Sequence, residues 1–350
     1  MINGEVLAFA LYFVLIVGIG LFFFLKDRHS NDEKEFFIGG RSMGPWVTAM
    51  SAQASDMSAW LLMGLPGSIM AFGFGQMWIG IGLALGTAAN WILVATRLRK
   101  FSKVAGDAIT VPQYLSNRFL AKSYTLQVIC AVIFFACFTV YVASGFVAGA
   151  SVFTTVFPSL DTQTAMIIFA LAMLACTFFG GFKAVCWTDF FQGLMMLAAL
   201  LAVPFMLVFV QELDFSVFEA TEGGVNPLNP FSASWQDVAS GLAWGLGYFG
   251  MPHIIVRFMG IKKPSQVNKA STVAIIWVVL SLAATIVIFA IFDKNDLKKS
   301  NINLRSFLFI STILSIVYTI ALVFSVADVT INTENPTLYG TLMHLVEFWL

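Results

Sequence analysis

Ser51-Ala-Gln-Ala-Ser-Asp-Met-Ser-Ala-Trp60, continued by Leu61-Leu-Met-Gly-Leu-Pro-Gly67, places the carboxylate Asp56 near the middle of an otherwise apolar stretch from Pro45 to Ala71. A carboxylate at mid-bilayer costs about 2.5–3.5 kcal/mol on insertion scales and persists where it has a partner or a cation. The same stretch carries Gly64, Pro66 and Gly67. Proline lacks an N–H and crowds the turn behind it, so Pro66 is expected to free the carbonyl of Leu62. A second stretch repeats the pattern in Gly241-Leu-Ala-Trp-Gly-Leu-Gly-Tyr-Phe-Gly-Met-Pro-His253, where Pro252 is expected to free the carbonyl of Tyr248. Irregular backbone at membrane depth is tolerated only where protein or a water-filled cavity covers it.

The surroundings of these stretches are those of an integral membrane protein. The chain has 350 residues, 59% hydrophobic and 11% charged, against roughly 25% charged in a soluble domain. Nine apolar runs fall near residues 5–25, 45–71, 77–96, 126–149, 164–182, 190–210, 238–258, 271–292 and 306–327. Each is long enough to cross a hydrocarbon core of about 30 Å, and backbone satisfaction in lipid favours helices. The net charge of zero gives no footprint for a nucleic-acid partner. With the N-terminus outside, the inward segments hold 15 of the 19 Lys and Arg, within 26–41, 97–122, 183 and 257–269. Lys294, Lys298, Lys299 and Arg305 oppose that orientation at the last run. The first run lacks a basic leader and a small-residue cleavage site and reads as a retained anchor. Cys130, Cys137, Cys176 and Cys186 lie in or beside apolar runs without metal-ligand spacing, as buried thiols do.

The two interrupted runs are the second and the seventh. That separation of five fits two five-span repeats of opposite orientation, and paired broken helices point to a transporter binding site. On a regular helix Asp56 and Trp60 share a face while Ser58 is turned about 200° away. Only unwinding would let Asp56 and Ser58 meet one ligand. The carboxylate, the hydroxyls of Ser51, Ser55 and Ser58, and loosened carbonyls form a set of hard oxygens suited to an alkali cation. The alternative is an Asp that hydrogen-bonds serines of a neighbouring helix to fix packing. Trp244 and Tyr248 share a face at helical spacing, as a cavity wall or as ordinary packing.

The blocks Gly39-Gly-Arg-Ser-Met-Gly-Pro45, Ser51 to Gly67, Tyr141-Val-Ala-Ser-Gly145, Gly180-Gly-Phe-Lys-Ala-Val-Cys-Trp-Thr-Asp189 and Trp244 to His253, in this order, resemble the sodium/solute symporters. The Asp-Met-Ser-x-Trp and Trp-Gly-x-Gly-Tyr-Phe-Gly-x-Pro-His blocks resemble the branch that carries proline. The resemblance implies an all-α, leucine-transporter-type fold: an extra first helix, a complete first inverted repeat and the opening helices of a second. It implies a symporter-like membrane domain over 1–293 and a divergent segment over 294–350, so that the fold is expected to be incomplete, by truncation or frameshift. The Ser-Thr pair that completes the family's sodium site has no match here; Ser311-Thr312 stands too near the end of its run.

The resemblance further implies roles. Asp56 would bind and couple sodium, with Ala54 and Met57 lending carbonyls and Ser58 between the ion and solute sites. Trp60, Tyr141, Trp244, Tyr248 and Pro252 would line a pocket for L-proline. Arg41 and Asp189 would be inner-face residues of the coupling cycle, or simple interfacial charges. The expected function is sodium-coupled uptake of L-proline across the cell membrane, with sodium as co-transported ligand and no cofactor. A non-transporting solute sensor and a nonfunctional fragment are the alternatives, and another small organic solute of the same family is the alternative substrate. An enzyme is not expected: His29, His253 and His344 are scattered, and no nucleophile with its base stands out.

Overall fold

The computed structural model describes residues 4–27, 32–72, 74–157, 159–210, 231 and 233–291. The expected ninth run at 306–327, the divergent segment 294–350 and most of the 211–237 loop lie outside these residues. Among the described residues the chain is helical, with an isolated parallel bridge between Met43 and Ile261.

The described residues form twelve α-helices in order: α1 Gly4–Asp27, α2 Glu33–Ile38, α3 Pro45–Ala59, α4 Leu65–Phe72, α5 Met77–Asn90, α6 Thr96–Val104, α7 Val111–Arg118, α8 Thr125–Val156, α9 Thr162–Val210, α10 Trp235–Ala243, α11 Pro252–Gly260 and α12 Val267–Ile291. Local chemistry sets several starts and stops. Asp32 caps α2 by accepting from the Lys34 N–H at 3.0 Å, and Gly39 ends it in the left-handed region. A Ser234–Asp237 capping box opens α10, and Pro252 occupies the first turn of α11, where its missing N–H costs nothing.

Among the described residues, four stretches are long and apolar enough to cross a membrane: Phe74–Val104, Thr125–Thr154, Gly180–Ala202 and Pro264–Ile286; Ala10–Lys26 and Thr162–Ala175 are shorter apolar helices. On α8, Val128, Ile133 and Phe135 are more than half exposed, a surface suited to lipid and not to water. The core lies where α3, α4, α5, α11 and α12 meet, around Met57, Leu61, Leu65, Trp91, Phe258 and Val278.

The loop expected between the fifth and sixth runs is not observed. The runs at 164–182 and 190–210 are joined within α9 by a kink at Gly181, φ +59°, and no loop separates them. Lys183, counted among inward loop bases, lies on this helix and forms an ion pair with Glu35 of α2. Arg257, counted likewise, is buried in α11. The charge pattern thus included residues held by internal partners.

Candidate functional site

The chain around Asp56 stays α-helical through Ala59, so the expected unwinding between Asp56 and Ser58 does not occur. The interruption comes later, as a π-helical turn over Trp60–Gly64. Pro66 then falls in the first turn of α4, and the widened turn before it relieves the clash its ring would make in a regular helix. The Met57 carbonyl accepts the Trp60 N–H, while Ala54 and Ser58 lie on the continuous part of α3; of the Ser58 side chain no description is given by the structure.

The second interruption is tighter. Residues Trp244–Phe249 form a 3-10 segment, in which 3.0 residues per turn set Trp244 and Tyr248 about 120° apart. They do not share a face as helical spacing predicts. Trp244 packs against Trp60, ring centroids 5.6 Å apart, and Tyr248 turns inward at 2% exposure. Nor is the Tyr248 carbonyl free. Asn90 of α5 donates its Nδ2 to it at 2.9 Å, which meets the requirement that buried carbonyls be paired.

Glycines set this contact. A Cβ at Gly86 would lie 2.2 Å from the Gly245 carbonyl oxygen, and one at Gly245 would lie 2.2 Å from that of Gly82. Only bare backbones approach so closely. α5 is therefore pressed against the 3-10 segment, with Thr87 and Asn90 beside Tyr248. The Tyr248 hydroxyl interacts with Asp56 and Thr87. Asp56 Oδ2 and Thr87 Oγ1 are nevertheless buried without an ordinary hydrogen-bond partner. On the other side of α3, Tyr141 of α8 donates to the Ser55 carbonyl at 2.9 Å and lies against His253, ring centroids 5.4 Å apart. Pro252 starts the helix that carries His253. Asp56, Trp60, Tyr141, Trp244 and Tyr248 are thus gathered around one helix interruption.

The serines of α3 do other work. Ser51 Oγ donates to Asp189 Oδ2 at 2.7 Å and stands 2.6 Å from Arg257 Nε, while Arg257 Nη2 meets Asp189 Oδ2 at 2.8 Å. Arg257 also donates to the His253 carbonyl. Ser51 is therefore engaged in a buried ion pair that ties α3, α9 and α11, and Ser55 Oγ bonds the Ala52 carbonyl at 3.4 Å. Arg257 escaped the reading of the sequence. The signal was present: Asp189 and Arg257 are opposite charges in apolar helices, each needing a partner.

Arg41 belongs to a separate network. Gly39, Gly40 and Arg41 all have φ between +52° and +62°, and a Cβ at Gly40 would meet Glu35 Oε2 at 1.9 Å. The left-handed turn aims the guanidinium at four acceptors: Asp107 Oδ1 at 3.0 Å, Ser102 Oγ at 3.1 Å, and the carbonyls of Met259 at 2.7 Å and Ala108 at 2.8 Å. Arg99 of α6 adds bonds to the carbonyls of Ile261 at 2.5 Å and Lys262 at 3.1 Å. Two arginines thus satisfy carbonyls at and just beyond the end of α11, an arrangement the helix dipole favours. The Met43–Ile261 bridge fastens the same place.

Asp107 is held below the usual carboxylate range chiefly by the hydrogen bond from Lys34, with Arg41 adding its charge. A lowered folded-state value means stability that is present at neutral pH, begins to fall as pH drops below about 4, and is lost once Asp107 protonates in the fold. Because Lys34 is exposed and Asp107 half-buried, solvent screens the pair and Asp107→Asn should cost less than about 1 kcal/mol. Unfolding curves at pH 7 and pH 3 check this: the difference between variant and parent should be present at pH 7 and smaller at pH 3.

Two helix interruptions beside a buried carboxylate oxygen in an apolar bundle are the arrangement in which irregular backbone is tolerated at membrane depth. A family model described as the sodium:solute symporter family matches residues 36–297, and the chain belongs to that family. Sodium/proline symporters of Staphylococcus aureus strains JH9, NCTC 8325 and COL are each 41% identical over 280 residues, covering 80% of this chain and 54% of theirs. The chain spans about half the length of these curated relatives. Its shape is similar to that of a solved Na+-coupled sialic acid symporter in its substrate-bound outward-open state, with a TM-score of 0.71, 15% identity, and coverage of 93% of this chain and 72% of that one. The fold is thus an all-α membrane fold of the leucine-transporter type, in a multi-pass protein.

Proposed function

We propose that this chain is a carrier module for sodium-coupled uptake of L-proline across the cell membrane by alternating access, with the N-terminus outside. The observation that carries this reading is the buried, unpartnered Asp56 Oδ2 at the meeting of the two helix interruptions. Its relatives' 41% identity to this chain supports the choice of ion and solute. Sodium is the charge partner that a buried carboxylate requires, with the Ala54 and Met57 carbonyls lent to its shell from α3; the continuous helix turns Ser58 away from it. Trp60 and Trp244 form an aromatic wall on which an apolar pyrrolidine ring packs, and Tyr141, Tyr248 and Pro252 close the pocket. Arg41 and Asp189 act at the inner face, where the ties they make must open and close as access alternates.

Sodium bound at Asp56 orders the interruption of α3 and raises the affinity for proline. By linkage, proline tightens sodium by the same factor. The membrane potential adds about 2.3 kcal/mol per charge per 100 mV to inward movement of the cation. No bond is made or broken in the solute.

The test is uptake of radiolabelled proline by the purified chain in proteoliposomes under an inward sodium gradient. Asp56→Asn should raise the sodium concentration for half-maximal uptake about a hundredfold, the cost of removing one partner of a buried charge pair. Absence of uptake by the unsubstituted chain, beside an active sodium/proline symporter from the relatives, rejects transport by this chain. Retained proline binding without flux would assign it a sensing role.

A further inference from the structure

We infer that Thr87 supplies a cation ligand from α5, so that one monovalent cation is held between the Asp56 carboxylate, the Tyr248 hydroxyl and the Thr87 hydroxyl. This rests on the sodium-coupled reading above and adds to it a ligand from a helix that the sequence did not implicate.

Three observations converge. Thr87 is 1% exposed, and its Oγ1 is buried without a hydrogen-bond partner. Buried hydroxyls are ordinarily paired, so an orphan asks for an occupant. Its position is set by the backbone, since the Gly86–Gly245 approach and the Asn90 bond to the Tyr248 carbonyl lock α5 against the 3-10 segment. Asn90 is thus a positioning residue. Across this junction the Tyr248 hydroxyl reaches toward both Asp56 and Thr87, and Asp56 Oδ2 and Asn90 Oδ1 are further orphans beside it.

Chemistry and charge name the occupant. A carboxylate, a phenol and an aliphatic hydroxyl are hard oxygen ligands, suited to alkali and alkaline-earth ions and not to thiophilic metals. The local charge balance selects among them. Arg257, the buried cation on the neighbouring helix, is already matched by Asp189. Asp56 leaves one negative charge over, which one monovalent ion neutralises and a divalent ion would overcompensate. The occupant is a sodium-like ion.

The experiment uses the full chain in lipid nanodiscs, read by intrinsic tryptophan fluorescence, because Trp60 and Trp244 lie beside the junction. Sodium chloride is titrated against choline chloride at constant ionic strength without proline. Thr87→Val, which keeps the shape and removes the oxygen, should raise the sodium midpoint about tenfold, as loss of one buried polar contact does. Thr87→Ser should stay within about twofold of the parent, and proline affinity at saturating sodium should be unchanged in Thr87→Val. A Thr87→Val midpoint equal to the parent's, with the Asp56→Asn response lost, overturns the assignment of Thr87 and leaves the sodium reading standing. A shift confined to the proline midpoint also overturns it, and gives the hydroxyl to the solute. No sodium response from the unsubstituted chain rejects both. Far-ultraviolet circular dichroism and the Thr87→Ser variant separate a lost ligand from a lost fold.

Discussion

Arg257→Leu should destabilise the folded chain by about 3–5 kcal/mol, because it strands the Asp189 carboxylate in an apolar interior. Both side chains are buried, with 7% and 13% exposure, and Ser51 shares the same carboxylate oxygen. The reverse substitution, Asp189→Leu, should cost a similar amount for the opposite charge. Removing both together should be far milder. Replacing a whole buried ion pair by apolar groups of similar volume is often neutral or stabilising, since desolvation cancels much of the attraction. Apparent unfolding midpoints in detergent for the four members of the cycle test this. A strong rescue in the double variant is expected, and additive losses would show that the two residues do not act as a pair. The cycle also has a functional reading: the pair joins α3, the helix of Asp56, to α9 and α11, so the double variant should fold well yet lose coupling between sodium and proline.

Gly86→Ala and Gly245→Ala should also destabilise the fold, through a different cause. Each added methyl would lie 2.2 Å from a backbone carbonyl oxygen on the opposing segment, and backbone does not yield as a flexible side chain does. Separation of α5 from the 3-10 segment is the available response, at about 1–3 kcal/mol or more. It would draw Asn90 off the Tyr248 carbonyl and Thr87 away from Asp56, so sodium affinity should fall together with stability. Gly145→Ala is the control. Its new methyl meets nothing within 4 Å, and on the helix α8 it should be neutral or slightly stabilising, by about 0.5–1 kcal/mol. A Gly86→Ala chain with parental stability and sodium response would refute the close approach.

Much of the site was legible in the residues because insertion into a bilayer makes polar choices expensive. Asp56 stands out by its cost alone, and Pro66 and Pro252 mark the neighbourhoods where helical hydrogen bonding is disturbed. What they could not specify is the form of the disturbance. A proline removes one donor, but a π turn at Trp60 and a 3-10 segment at Trp244 are different answers to that loss, and neighbouring helices choose between them. The Tyr248 carbonyl illustrates the limit. Local rules leave it open, and an amide 158 residues away fills it. Ser51 looks like a ligand from its place beside Asp56, yet its hydroxyl serves the ion pair of Asp189 and Arg257.

The sequence by itself determined that this is a helical membrane protein of the sodium:solute symporter family, that two of its helices are interrupted, and that Asp56 is the charge in need of a partner. The family follows from the order of the sequence blocks, and the other properties from composition, proline chemistry and the energetics of lipid, which act on one segment at a time. Only the tertiary structure decided which buried polar groups meet across the helices. The partners of Asp189, Arg41 and Tyr248 come from helices distant in sequence, and the glycine contact that brings α5 alongside the 3-10 segment depends on two backbones meeting. Pairing between segments is a property of packing, where each buried polar group takes whichever partner the fold brings within about 3 Å.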